Sequence, residues 1–160
     1  MIKSDKDYTL FVLALSRMTF LSLKEKFILL NNIDSLYDLV LLSIEDISKK
    51  IGRKSRAYWN PSELIRMVKK DLYLIEKMNI SFVLYNESNY PSLLKEISDP
   101  PFLLFYRGDI KVLENNCVSV VGTRKIVGPA AKECFDFSKD AALDGITVIS
   151  GLAYGVDKKA

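Results

Sequence analysis

The sequence predicts an α/β protein in two parts: an all-helical domain over residues 1–79, and from residue 80 a parallel sheet built on a strand–helix–strand unit. Three observations predict it. Apolar residues recur at helical spacing, behind nameable cap signals, as far as Asn79. From Ile80 short runs rich in β-branched and aromatic residues take over. Two apolar runs, 118–121 and 146–149, then flank one amphipathic stretch, a length of chain in which strands pair in parallel across a right-handed crossover.

Tyr8 begins a dense apolar run (Leu10, Phe11, Leu13, Ala14, Leu15) behind Ser4 and Asp7. Ser22-Leu23-Lys24-Glu25 fits a capping box, in which serine and glutamate satisfy free N–H groups at the start of a helix reaching about Asn31. Asp34 or Ser35 opens a third helix. Ser43 opens a fourth, with Ile44, Ile47 and Ile51 on one face and Gly52 as its stop. Asn60-Pro61-Ser62-Glu63 joins a cap, a proline at the first helical position and a glutamate at the third, opening a helix that turns Leu64, Val68, Leu72 and Ile75 inward. Residues 80–85 read as a strand and Asn89-Tyr90-Pro91-Ser92 as a turn into a brief helix. Asp99-Pro100-Pro101 is a break that neither a helix nor a central strand tolerates. Residues 102–106 form a second strand, closed by Arg107-Gly108-Asp109. A helix over 129–143, capped by Gly128 and stopped by Gly145, joins the two buried strands.

The 160 residues, 49% of them hydrophobic, are enough to bury a core. No run of about 18 uncharged apolar residues occurs, and the opening MIKSDKDYTL places two aspartates where a signal peptide needs positive charge; we expect a soluble, cytoplasmic protein with no membrane partner. Histidine is absent, which excludes imidazole-ligated zinc and histidine-based triads, and we expect no metal, no cofactor and no catalytic residue. Cys117 and Cys134 fall in a strand and a helix and read as two buried thiols.

The net charge is only +3, yet residues 47–77 hold nine Lys or Arg against three Asp or Glu. Lys50, Arg53, Lys54 and Arg56 surround Gly52 there, resembling half of a helix-hairpin-helix element, where a glycine turn offers amides and basic side chains to a DNA phosphate. Lys54 stands where the usual second glycine would be, and an inert helix connection is the other reading. Tyr58 and Trp59 either stack bases or plug a small core.

Ligands of parallel sheets sit outside the carboxyl ends of the strands. Two neighbouring strands here both end in glycine-bearing turns, Gly122-Thr123-Arg124 and Ser150-Gly151-Leu152-Ala153-Tyr154-Gly155. Glycines let backbone N–H groups converge on an anion, the Thr123 and Ser150 hydroxyls are donors, and the Arg124 guanidinium is a fork for phosphate oxygens. Neither GxGxxG nor GxxxxGK[ST] is present. Nucleotide binding, polyanion binding and a purely structural turn all remain open on these residues alone.

NYPSLLKEISDPPFLLFYRGD (89–109), VSVVGTRKI (118–126) and ITVISGLAYGVD (146–157) together resemble the DNA-processing protein A family, also called DprA or Smf. The family's YP-x-LL-x-x-I-x-DPP segment, its VG-[ST]-R turn and its SGLA-x-G-[IV]-D turn stand in order and at matching spacing. The helical half is similar to the small N-terminal domain, of SAM or helix-hairpin-helix type, that many members carry. The resemblance implies an extended Rossmann-like domain that binds single-stranded DNA in natural transformation and loads the RecA recombinase, and that dimerises. It puts Arg124 on phosphate, with Gly122, Thr123, Ser150, Gly151 and Gly155 beside it. The sequence differs from the family pattern at Val127-Gly128-Pro129-Ala130, where a small hydroxyl residue and Tyr-Gly usually stand, and it stops at Ala160, inside that domain. The expectation is an incomplete sheet, without the later strands and the regions for dimerisation and RecA contact. Two other functions compete: a Rossmann-like phosphoribohydrolase, although its PGG-x-GT motif is missing, and a protein-interaction module through residues 1–79.

Overall fold

Residues 5–160 are described by the computed structural model, and they form two compact units that divide between Gly108 and Asp109. Ser4 lies outside the described residues.

The first unit follows its cap signals. Helix α1 spans Asp5–Arg17. Five consecutive residues, Phe11 to Leu15, are each no more than 1% exposed, so the middle of α1 is buried on every side, as an all-round apolar stretch must be. Its neighbours are α2 (Leu23–Asn32), α3 (Leu36–Val40) and α5 (Pro61–Met78). Ser22 and Glu25 make the expected capping box, and Ser35 rather than Asp34 caps α3. Helix α4 (Ile44–Ile51) has a second capping box, Ser43 with Asp46, and ends on Gly52 in the left-handed conformation. Asn60 caps α5, whose Leu64, Val68 and Leu72 are buried at four-residue spacing, with Ile75 half-buried on the same core. Arg17 grips both carboxylate oxygens of Asp71, at 2.7 and 2.5 Å, and so ties the end of α1 to the middle of α5.

The change of rhythm after Asn79 does not coincide with the division between the units. Strands β1 (Ser81–Leu84) and β2 (Leu103–Tyr106) pair antiparallel with each other and with no later strand. Leu84, Phe102 and Leu103 belong to the same buried cluster as the helices, which is why this hairpin stays with the first unit. Between the strands come the short helix α6 (Ser92–Lys95) and a ring cluster, Phe27 edge-on to Phe102 and Tyr85 to Tyr90, whose hydroxyl donates to the Pro101 carbonyl at 3.0 Å.

The second unit opens with a 3-10 turn, Ile110–Glu114, followed by β3 (Cys117–Ser119), α7 (Gly128–Leu143), β4 (Thr147–Ile149) and α8 (Val156–Lys159). As expected, β3 and β4 are parallel, with Val118 opposite Val148. Each strand is only three residues long, shorter than its apolar run. Val127, not Gly128, takes the cap position of α7, without a side-chain cap bond. Cys117 and Cys134 are free and half-buried rather than buried: the thiols approach the Asn115 and Val156 carbonyls at 3.2 and 3.6 Å. The molecule is thus a mixed α/β protein, and no helix among the described residues is long and apolar enough to cross a membrane.

Candidate functional site

The site is built where the turns after β3 and β4 cross. Val120 N–H continues the ladder to the Ile149 carbonyl at 2.9 Å, after which both strands release their chains on the same side. Gly155 then passes against the first turn so closely that a Cβ there would stand 2.0 Å from the Thr123 carbonyl oxygen and 2.7 Å from Arg124 Cα. Its φ of +89° adds a second reason for glycine. The next residue fixes the crossing, Val156 N–H donating to that Thr123 oxygen at 3.1 Å, while a Cβ on Gly122 would meet the Val156 side chain at 2.6 Å.

All six residues expected to surround a phosphate are therefore brought together, but several of their donors are already used. The Ser150 hydroxyl donates to the Val120 carbonyl at 2.8 Å and stitches one turn to the other. Gly151 N–H donates to Asp157 Oδ2 at 3.2 Å, so a carboxylate of the protein already occupies that amide. The Thr123 hydroxyl donates to the Lys125 carbonyl at 3.4 Å and accepts from Lys125 N–H at 3.2 Å, folding its own turn tight. Helix α8, four residues long, is too short to add an appreciable dipole.

Arg124 is the exception. Its side chain is exposed and makes no hydrogen bond or ion pair among the described residues. Lys125 beside it is exposed as well. A guanidinium left without a carboxylate, on a turn locked from behind by backbone contacts, is equipped to take an anion at low ordering cost. Gly155 and Val156 hold the turn and Arg124 faces outward: one group of residues positions and one side chain is free to bind.

The basic residues of the first unit sort differently. Arg53 is committed to structure: its Nε and Nη2 donate to the two oxygens of Glu25 at 2.5 and 2.9 Å, and Nη2 donates also to the Phe20 carbonyl at 2.7 Å. The guanidinium, with the Ser22 amide and hydroxyl, holds the Glu25 carboxyl down to about 2. Lys50, Lys54 and Arg56 are exposed. Trp59 plugs the core and donates its indole N–H to the Leu42 carbonyl at 2.8 Å, whereas Tyr58 is 80% exposed. No helix follows Gly52 until Pro61, so the glycine turn does not lead directly into a partner helix. What sequence reasoning missed is the internal use of Ser150 and Gly151, since no local signal reveals a bond that crosses between loops. The glycine spacing of SGLAYG was the only trace of it.

Helices with an antiparallel hairpin, followed by a parallel β-α-β unit whose strand-end turns interlock and leave Arg124 exposed, define a mixed α/β protein. The chain belongs to the DNA recombination-mediator protein A family, whose model matches residues 81–160. It is 31% identical over 149 residues to Protein Smf of Borreliella burgdorferi, an alignment covering 93% of this chain and 47% of that protein. DNA processing protein DprA of Streptococcus pneumoniae is 39% identical over 75 residues, 44% of this chain and 25% of that one. The X-ray structure of that S. pneumoniae protein superposes with a TM-score of 0.55 at 25% identity, covering 96% of this chain and 51% of the solved one. The chain thus spans about half the length of the relatives it matches most fully.

Proposed function

We propose that this chain binds single-stranded DNA through its phosphates, without catalysis, in the DNA processing that accompanies natural transformation. The observation that carries this reading is Arg124, exposed and unpaired among the described residues on a turn that Gly155 and Val156 brace from behind. On this reading β3, α7 and β4 open a Rossmann-like sheet, and residues 1–79 are the SAM-type or helix-hairpin-helix-type domain that precedes it. In a full-length protein of the family the bound strand would be handed to the RecA recombinase, with two copies acting together. Family membership over residues 81–160 supports the ligand, and the chemistry of the crossing supports the residue.

The test is an anisotropy titration of labelled oligonucleotides at several salt concentrations. Binding is expected to be largely independent of sequence and to weaken steeply with salt. Arg124→Ala is expected to cost about tenfold, the worth of one hydrogen bond to a charged group, and to lower the salt slope by about 0.7, the share of one single-strand phosphate. Binding that ignores Arg124→Ala, or no binding at low salt, would overturn the assignment.

A further inference from the structure

Residues 53–60, between α4 and α5, are not used by the glycine-turn site. They contain no helix or turn from 54 onward, and their anchoring alternates. Arg53 is tied to Glu25 and to the Phe20 carbonyl. Ser55 N–H donates to Ser48 Oγ at 3.0 Å, and half-buried Ala57 donates its N–H to Ser55 Oγ at 3.3 Å. Trp59 is pinned to the Leu42 carbonyl. The residues in between, Lys54, Arg56 and Tyr58, are all exposed.

Charge singles out the same residues. No carboxylate occurs between Ser48 and Trp59, and the two cations that do find acids are Arg53, on Glu25, and Lys49, 3.8 Å from Asp46. Lys54 and Arg56 make no side-chain hydrogen bond or ion pair among the described residues. A merely solvated charge run has no need of three anchors, at Arg53, Ser55 and Trp59, to groups outside the segment. Two residues of extended chain span at most about 7 Å, on the order of one nucleotide step in a stretched single strand. The third outward residue is an aromatic ring in water, the form of a base-stacking platform.

We propose that Lys54, Arg56 and Tyr58 form a second contact for single-stranded nucleic acid, the two cations on successive phosphates and the Tyr58 ring against a base. The ligand class rests on the function proposed above; the residues are different ones. Anchoring through Arg53, Ser55 and Trp59 fixes the backbone beforehand, so little ordering cost remains for binding.

The experiment uses the whole chain and two labelled probes of equal length, an oligo-dT and an abasic strand. Lys54→Ala with Arg56→Ala is expected to weaken both probes and to lower the salt slope by about 1.4, the share of two single-strand phosphates. Tyr58→Ala is expected to weaken oligo-dT by about 5- to 100-fold, the range for one stacked base, while leaving the abasic strand unchanged; Tyr58→Phe retains binding. The proposal is overturned if the double variant keeps native affinity and slope, or if Tyr58→Ala acts on both probes alike or on neither. Arg124→Ala runs in parallel: a silent Arg124→Ala beside active variants at 54, 56 and 58 removes the glycine-turn reading alone, and the converse removes this one alone.

Discussion

At Gly155 a single added methyl group decides whether two loops can meet. Gly155→Ala would force a Cβ into the Thr123 carbonyl oxygen 2.0 Å away, at a φ of +89°. Gly108 has a similar φ of +94° with nothing near its Cβ position, so Gly108→Ala carries the backbone strain alone, about 1–3 kcal/mol. Amide exchange is expected to separate them: Gly155→Ala loses protection at Val120 and Val156, while Gly108→Ala keeps it. Glu25 is the other decisive residue, and its effect depends on pH. Its carboxyl is held at about 2 by Arg53, below its ordinary 4.5, so the pair contributes fully above about pH 4.5 and the contribution is lost as pH falls through 2. Denaturant midpoints measured between pH 7 and pH 2 should therefore fall less steeply for Glu25→Gln than for the native chain; parallel curves would show that the pair adds nothing.

At the scale of elements, legibility follows how local the determining contact is. Capping bonds span three residues, which is why Ser22, Ser43 and Asn60 announced their helices before any tertiary contact was known. The ends of β3 and β4 depend on a partner far along the chain, and they came out shorter than their apolar runs. The Ser150 hydroxyl was legible as a donor but not as a donor already spent, because its acceptor, thirty residues back, depends on loop paths that spacing does not encode. Burial separates the elements too. Helix α1 is enclosed, whereas Phe135, Phe137 and Leu143 of α7 are each more than half exposed. Local opening needs little apolar surface to be given up where little is buried. Amides of α7 are therefore expected to exchange before those of α1 under native conditions; equal protection in the two helices would refute this.

For the molecule as a whole, the core belongs to the first unit. Ala141 is the one buried hydrophobic residue described beyond Gly108, so the second unit is held mainly by hydrogen bonds and close backbone contacts instead. Mixed α/β character and the parallel strand pair were readable from the change in periodicity. The division after Gly108 was not, because the β1–β2 hairpin has the local look of a sheet domain and joins the helices through tertiary packing of residues such as Leu84, Phe102 and Leu103. The crossing of the two turns has one more consequence, in the order of events at the ribosome. Arg124 emerges well before the residues that brace it, and its turn has no support until Gly155 and Val156 reach the Thr123 carbonyl. A nascent chain halted before Val156 would present the arginine on a loose loop, and its support would be completed only by the residues made after it.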